Sequence, residues 1–205
     1  MHQKKPFATF KISAISEQMK LSESHSSLSP LCRTLEVRLA NVEQLANLDL
    51  PVCLLPDFES FPEANFSAAF RSTPAAYQIH EPQILVNGDR FLSLPFHIQQ
   101  AAIAHEIAHA ICKRTPLQLV DPDWGIRLSE EIVADFLVCS WGLLDELTEE
   151  RSRSYGARYC EILRMWPRQA DFVRQMTVWY QQKLSGQARP VVDHGGSGSM
   201  HRSFL

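Results

Sequence analysis

Residues 94–114, LPFHIQQAAIAHEIAHAICKR, decide how the rest of the chain is read. Ile98, Ala101, Ala102, Ala104, Ile107, Ala108 and Ile111 recur at helical spacing and cover much of the circumference. The spacing therefore predicts a central, buried helix, beginning around Pro95 to His97 and ending at Lys113 or Arg114, before Pro116. Its alanines allow a neighbouring backbone to approach closely. Within that apolar surface stand His105 and His109, four residues apart. On a helix they lie one turn apart on a single face, so both imidazoles can reach one metal ion. Glu106 lies about 100° further round the helix, beside such an ion without being one of its ligands.

Composition bounds what surrounds this helix. At 205 residues and 45% hydrophobic content, the chain can bury one sizeable core. A formal net charge of -3 argues against a general nucleic-acid footprint. The five cysteines are scattered, odd in number and without a C-x-x-C pair. Neither a disulfide framework nor a thiolate zinc cluster is expected, and a reducing, cytoplasmic setting is. No run of 18 apolar residues occurs, and the first twenty residues lack the apolar centre of a signal peptide. No membrane partner is expected.

Along the chain, residues 1–30 read as an N-terminal arm, with a short strand in PFATFKISAI and a serine-rich spacer at 22–30. Leu31, Leu35, Leu39, Val42, Leu45 and Leu48 then predict a helix of about four turns ending before Pro51. PVCLLPDF, AAYQI and QILVN are predicted strands, Asn87-Gly88-Asp89 a turn, and FLSL a further extended piece. The phenylalanines between 58 and 72 read as core or loop cover. IRLSEEIVADFLVCSWGLLDEL carries one wide apolar band, which predicts a long helix. Ser129 offers a later start by capping, and Gly142 marks a weak point. RSRSYGARYCEILRMW and RQADFVRQMTVWYQQKL read as two more helices, with Pro167 in the first turn of the last. The expected organisation is an arm at 1–30, one domain at 31–184, and a Gly/Ser-rich flexible tail at 185–205.

Two histidines leave a catalytic zinc short of the three protein ligands it usually takes. Glu130-Glu131-Ile132-Val133-Ala134-Asp135, at the start of the next helix, offers acids for the purpose. H-E-x-x-H followed by E-x-x-A-D on the next helix resembles the gluzincin superfamily of zinc peptidases. The likeness spans residues 77–145 and includes Ala104 and Ala110 beside the histidines. The flanking helices and residues 1–60 lie outside it. The resemblance implies an α+β, zincin-like fold with a small sheet and a mostly helical C-terminal half. It implies Zn²⁺ held by His105, His109 and Glu131, and Asp135 accepting a hydrogen bond from a ligand histidine. It also makes ILVN the edge strand that pairs with an extended substrate. Glu131 and Asp135 are one helical turn apart, so one face can serve both the metal and a ring nitrogen. Glu130 is the rival ligand, but position 134, four residues on, is alanine.

The chemistry implied is peptide hydrolysis by metal-activated water. Glu106 acts as general base and then delivers the proton to the leaving amine. Tyr155, Arg158, Tyr159 and Tyr77 are the candidate oxyanion donors. The short gap from His109 to Glu131 resembles compact bacterial and phage-associated members, which implies a narrow set of protein substrates. Two other functions fit the same residues: a binding or regulatory module with a structural zinc, and a zinc-dependent hydrolase of a non-peptide amide. Cys112, His97, His80 and His194 read as packing or surface residues.

Overall fold

The elements run β1 (Lys11–Ile15), α1 (Ser22–Leu39), β2 (Asp49–Leu55), β3 (Ala75–Gln78) and β4 (Gln83–Asn87). Six helices follow: α2 (Gly88–Leu92), α3 (Phe96–Arg114), α4 (Glu130–Ser140), α5 (Leu144–Tyr155), α6 (Ala157–Leu163) and α7 (Gln169–Gln187). This computed structural model describes residues 10–15, 22–55, 73–80 and 82–187. The architecture is mixed α+β, with one four-stranded sheet and a helical C-terminal half among the described residues.

The sheet order is β1-β2-β4-β3. β2 and β4 lie parallel in the middle, Val52 opposite Ile84. Val52, Cys53, Leu54, Ile84, Leu85 and Val86 are all buried. Strands without polar alternation need cover on both faces, which an interior parallel position supplies. β1 adds parallel to β2, and β3 adds antiparallel to β4 with Tyr77 opposite Ile84. QILVN is therefore an interior strand, and the edge position belongs to AAYQ. The reason is burial: QILVN has no polar face for solvent, whereas Ala76, Tyr77 and Gln78 are half-buried.

Other expectations shift in register. The boundary at residue 30 falls inside α1, which starts at Ser22 and contains Pro30. Leu28, Leu31, Leu35 and Leu39 all turn into the core, so the apolar stripe begins one turn before the leucine-rich run suggests. After Leu39 the chain leaves the helix through a short 3₁₀ turn at Glu43–Leu45 and Asn47 at φ 61°. Leu45 and Leu48 reach the core from these turns. β1, inside the expected arm, pairs with β2 and buries Ile12. FLSL is not extended: Phe91 and Leu92 close α2, and Phe91 is buried.

The band expected as one long helix breaks at Gly142, whose φ of +82° is open to glycine and strained for other residues. α4 and α5 can therefore meet α3 at separate angles, and both pack on it. Gly156, at φ +83°, similarly divides α5 from α6. Pro167 sits in the turn ahead of α7, not in its first turn. The segment between 58 and 72, and the tail beyond 187, lie outside the described residues.

α3 is the hub. It touches β3, β4 and α1 as well as α4 and α5, with Ile103, Ala104, Ile107 and Ala108 fully buried. Truncating Ile107 to alanine would cost about 2–5 kcal/mol. Between α3 and α4, Val120 pairs with Arg127, and Asp121 Oδ1 accepts the amides of Asp123 and Trp124. This short closed turn sets where α4 begins. No described helix is long and apolar enough to cross a membrane.

Candidate metal centre

α3 presents His105 and His109 toward the first turn of α4. Their Nε2 atoms are 3.1 Å apart, and the rings meet edge-on at 86°. Glu131 closes the triangle, with Oε2 3.2 Å from His105 Nε2 and Oε1 3.5 Å from His109 Nε2. Ligand atoms on a tetrahedral ion with bonds of about 2.0–2.1 Å stand about 3.3–3.4 Å from one another. The three side chains thus have the spacing and the N,N,O chemistry of a zinc site. His105 is buried, His109 half-buried and Glu131 exposed, so the cluster opens on one side.

That side is a cleft of about 540 Å³. Ala75, Ala76 and Tyr77 of β3 form one wall, and Glu131, Arg151 and Tyr155 stand on the other helices that line it. Asn87 N–H donates to the Pro74 carbonyl, so the bonded pairs of this antiparallel ladder fall on 74, 76 and 78. The backbone groups of Ala75 and Tyr77 then face away from β4. Glu106 Oε2 accepts the Tyr77 N–H at 2.6 Å. Burial pushes the Glu106 carboxyl pKa up, against the pull of both histidines and this amide.

The outer nitrogens of the histidines are also engaged. His105 Nδ1 is 2.7 Å from Asp135 Oδ1, which is buried with it. Asp135 also accepts from Arg151 Nη2 at 2.8 Å, Arg151 Nε at 3.0 Å and Tyr159 Oη at 2.6 Å. Burial alone would raise the Asp135 pKa; Arg151 and His105 overcome it and hold the carboxyl well below its usual range. For His105, burial and Arg151 disfavour the charged ring, yet Asp135 and Glu131 outweigh them and lift its pKa to about 9. Hydrogen bonds from His105 and His109 keep Glu131 ionised. His109 Nδ1 is 2.9 Å from Glu130 Oε1, and Lys113 Nζ donates to Glu130 Oε2 at 2.6 Å. Glu130, the rival ligand, thus faces the outer nitrogen of His109.

The four candidate oxyanion donors part company. Tyr155 lines the cleft and is partly exposed. Tyr77 also lines it, though its ring packs against the core. Tyr159 is buried with its hydroxyl committed to Asp135. Arg158 is paired with Glu161 and Gln175, away from the cleft lining. Cys112 is buried, and burial with nearby Glu130 pushes its thiol up to about 11, which suits packing better than nucleophilic attack. His97 faces Glu149 at the surface, His80 is exposed, and His194 lies outside the described residues.

Sequence reading missed Arg151 and Lys113. Arg151 sits in TEERSRSY, which reads as a solvated charged face, and no spacing rule links it to Asp135 sixteen residues earlier. Lys113 stands four residues after His109, a spacing that could have marked it as a neighbour of whatever supports that ring. The chain matches no protein-family model, no curated protein and no solved structure.

Proposed function

We propose that the chain is a zinc-dependent endopeptidase of zincin-like fold, cutting extended segments of a narrow set of protein substrates in the cytoplasm. One observation carries this reading: His105, His109 and Glu131 converge at metal-ligand spacing beside Glu106, in a cleft walled by an edge strand. Zinc held by those three side chains would supply the Lewis acidity that polarises a scissile carbonyl and eases deprotonation of water.

The chain's own residues supply the remaining steps. Asp135 accepts a hydrogen bond from His105 Nδ1–H, which leaves Nε2 as a lone-pair donor. Glu106 takes the proton from the attacking water and passes it to the leaving amine. Tyr155 is the oxyanion donor we favour, because it faces the cleft while the Tyr159 hydroxyl is engaged elsewhere. With the Tyr77 N–H taken by Glu106, the outward backbone groups of Ala75 and the outward carbonyl of Tyr77 suit addition of a peptide as the next strand. Cys32, Cys112, Cys139 and Cys160, buried and outside any disulfide, fit a reducing compartment.

The test is zinc stoichiometry together with cleavage of a mixed peptide library by wild type, Glu106→Gln and Glu131→Ala. Glu106→Gln should keep zinc and lose roughly 10²–10⁴-fold in turnover. Glu131→Ala should bind zinc more weakly. Normal cleavage by Glu106→Gln would overturn the assignment of the base.

A further inference from the structure

Arg151 belongs to neither the HEIAH helix turn nor the acidic turn of α4, yet it reaches both. Its side chain is only 13% exposed. Nε and Nη2 bridge the two oxygens of Asp135, and Nη2 also lies 2.9 Å from His105 Nδ1. Asp135 Oδ1, Arg151 Nη2 and His105 Nδ1 therefore form a triangle with sides of 2.7, 2.8 and 2.9 Å.

One arrangement of protons suits that triangle. An ionised Oδ1 carries only lone pairs, and a guanidinium nitrogen carries only protons to offer. An unprotonated Nδ1 would set its lone pair against Oδ1 at 2.7 Å. A protonated Nδ1 donates to Oδ1 alongside Nη2, which satisfies all three atoms. Protonation at Nδ1 leaves Nε2 free to bind metal.

We propose that Arg151 is a positioning residue of the metal centre: its two-point grip orients Asp135 so that His105 keeps its proton on Nδ1 and offers Nε2 to the ion. This rests on the metal-site reading above. Arginine suits the role because its planar fork matches both carboxylate oxygens, whereas lysine presents a single point charge. Tyr159 donates to Oδ2 and so adds a further restraint on the carboxylate.

The experiment compares full-length wild type, Arg151→Lys and Arg151→Met. Zinc affinity is measured by competition with a chromophoric chelator. The His105 ring nitrogens are read by ¹H–¹⁵N correlation in the zinc-loaded proteins, with circular dichroism and thermal unfolding as folding controls. Wild type should bind one zinc with His105 protonated on Nδ1. Arg151→Lys keeps the charge and the fold, loses about tenfold in zinc affinity, and gives a heterogeneous His105 signal. Arg151→Met should lose about 100-fold; if it fails to fold, Arg151→Lys decides. A folded Arg151→Lys with wild-type zinc affinity and His105 pattern overturns the proposal, even with a lowered melting temperature, because that is what a purely structural arginine would do. Zinc bound by wild type through His105 Nδ1 overturns it while sparing the metal site. If wild type binds no zinc, the metal reading falls and this inference falls with it.

Discussion

His105 and His109 are one helical turn apart, yet their outer nitrogens are held in opposite ways. His105 meets Asp135, a carboxylate whose side chain is 2% exposed and which is surrounded by Arg151 and Tyr159. His109 meets Glu130, a carboxylate 39% exposed, whose other partner is the similarly exposed Lys113. The contact distances are close, 2.7 and 2.9 Å. The surroundings differ: water and salt screen the second pair and barely reach the first. The difference teaches that the cluster is anchored at its buried end, while His109 and Glu131 form its rim at the cleft.

The largest expected effect is therefore at the buried end. Asp135→Ala leaves the Arg151 guanidinium buried without its main partner and should cost about 3–5 kcal/mol in chemical denaturation. It should also weaken zinc binding by roughly 10–100-fold. A variant as stable as wild type would erase the distinction between the two histidines.

Metal linkage should sharpen the same contrast. With zinc bound as proposed, the metal at 100 times its dissociation constant should add about 2.7 kcal/mol to wild-type stability, and a chelator should remove it. At that zinc concentration the gain in Asp135→Ala should shrink to about 0.4–1.4 kcal/mol, as read from unfolding with and without chelator. A gain equal to that of wild type would show that Asp135 does not support the metal.

Tyr159→Phe removes one donor and leaves Arg151 in place. A loss of about 1–3 kcal/mol is expected by denaturant titration, with zinc affinity changing less than in Asp135→Ala. Smallest of all should be the surface end. Glu130→Gln should change stability by less than about 1 kcal/mol, and Lys113→Ala by about 0.5 kcal/mol, both differences fading in 1 M salt. A Glu130→Gln effect as large as that of Asp135→Ala would mean that the rim contributes as much as the anchor.

Particular elements mark where reading the chain by itself succeeds and stops. The bounds of α3 are legible because helical apolar spacing fills the stretch between Pro95 and Pro116, and the prolines stop it at either end. α1 was displaced toward the N-terminus because leucines at 28 and 31 bury as well as those at 45 and 48, and periodicity does not say which end the turns will take. The long band of residues 126–147 hid a break: Gly142 looked like a weak point, but the positive φ that separates α4 from α5 depends on both helices docking on α3. The sheet edge falls elsewhere than expected for a related reason. Whether AAYQ or QILVN is outermost depends on which strand β2 pairs with, a contact between residues more than thirty positions apart.

By itself the sequence determined what lies within one turn of helix. His105 and His109 share a face, Glu106 stands beside them, and Glu131 and Asp135 share another face, because 3.6 residues per turn leaves those spacings no choice. Only the tertiary structure decided how the faces meet. It set Glu131 toward the two Nε2 atoms and Glu130 toward an Nδ1, and it brought Arg151 and Tyr159 under Asp135. Those relations depend on the angles between α3, α4 and α5, which are set by how their apolar surfaces pack rather than by the spacing of the polar residues they carry.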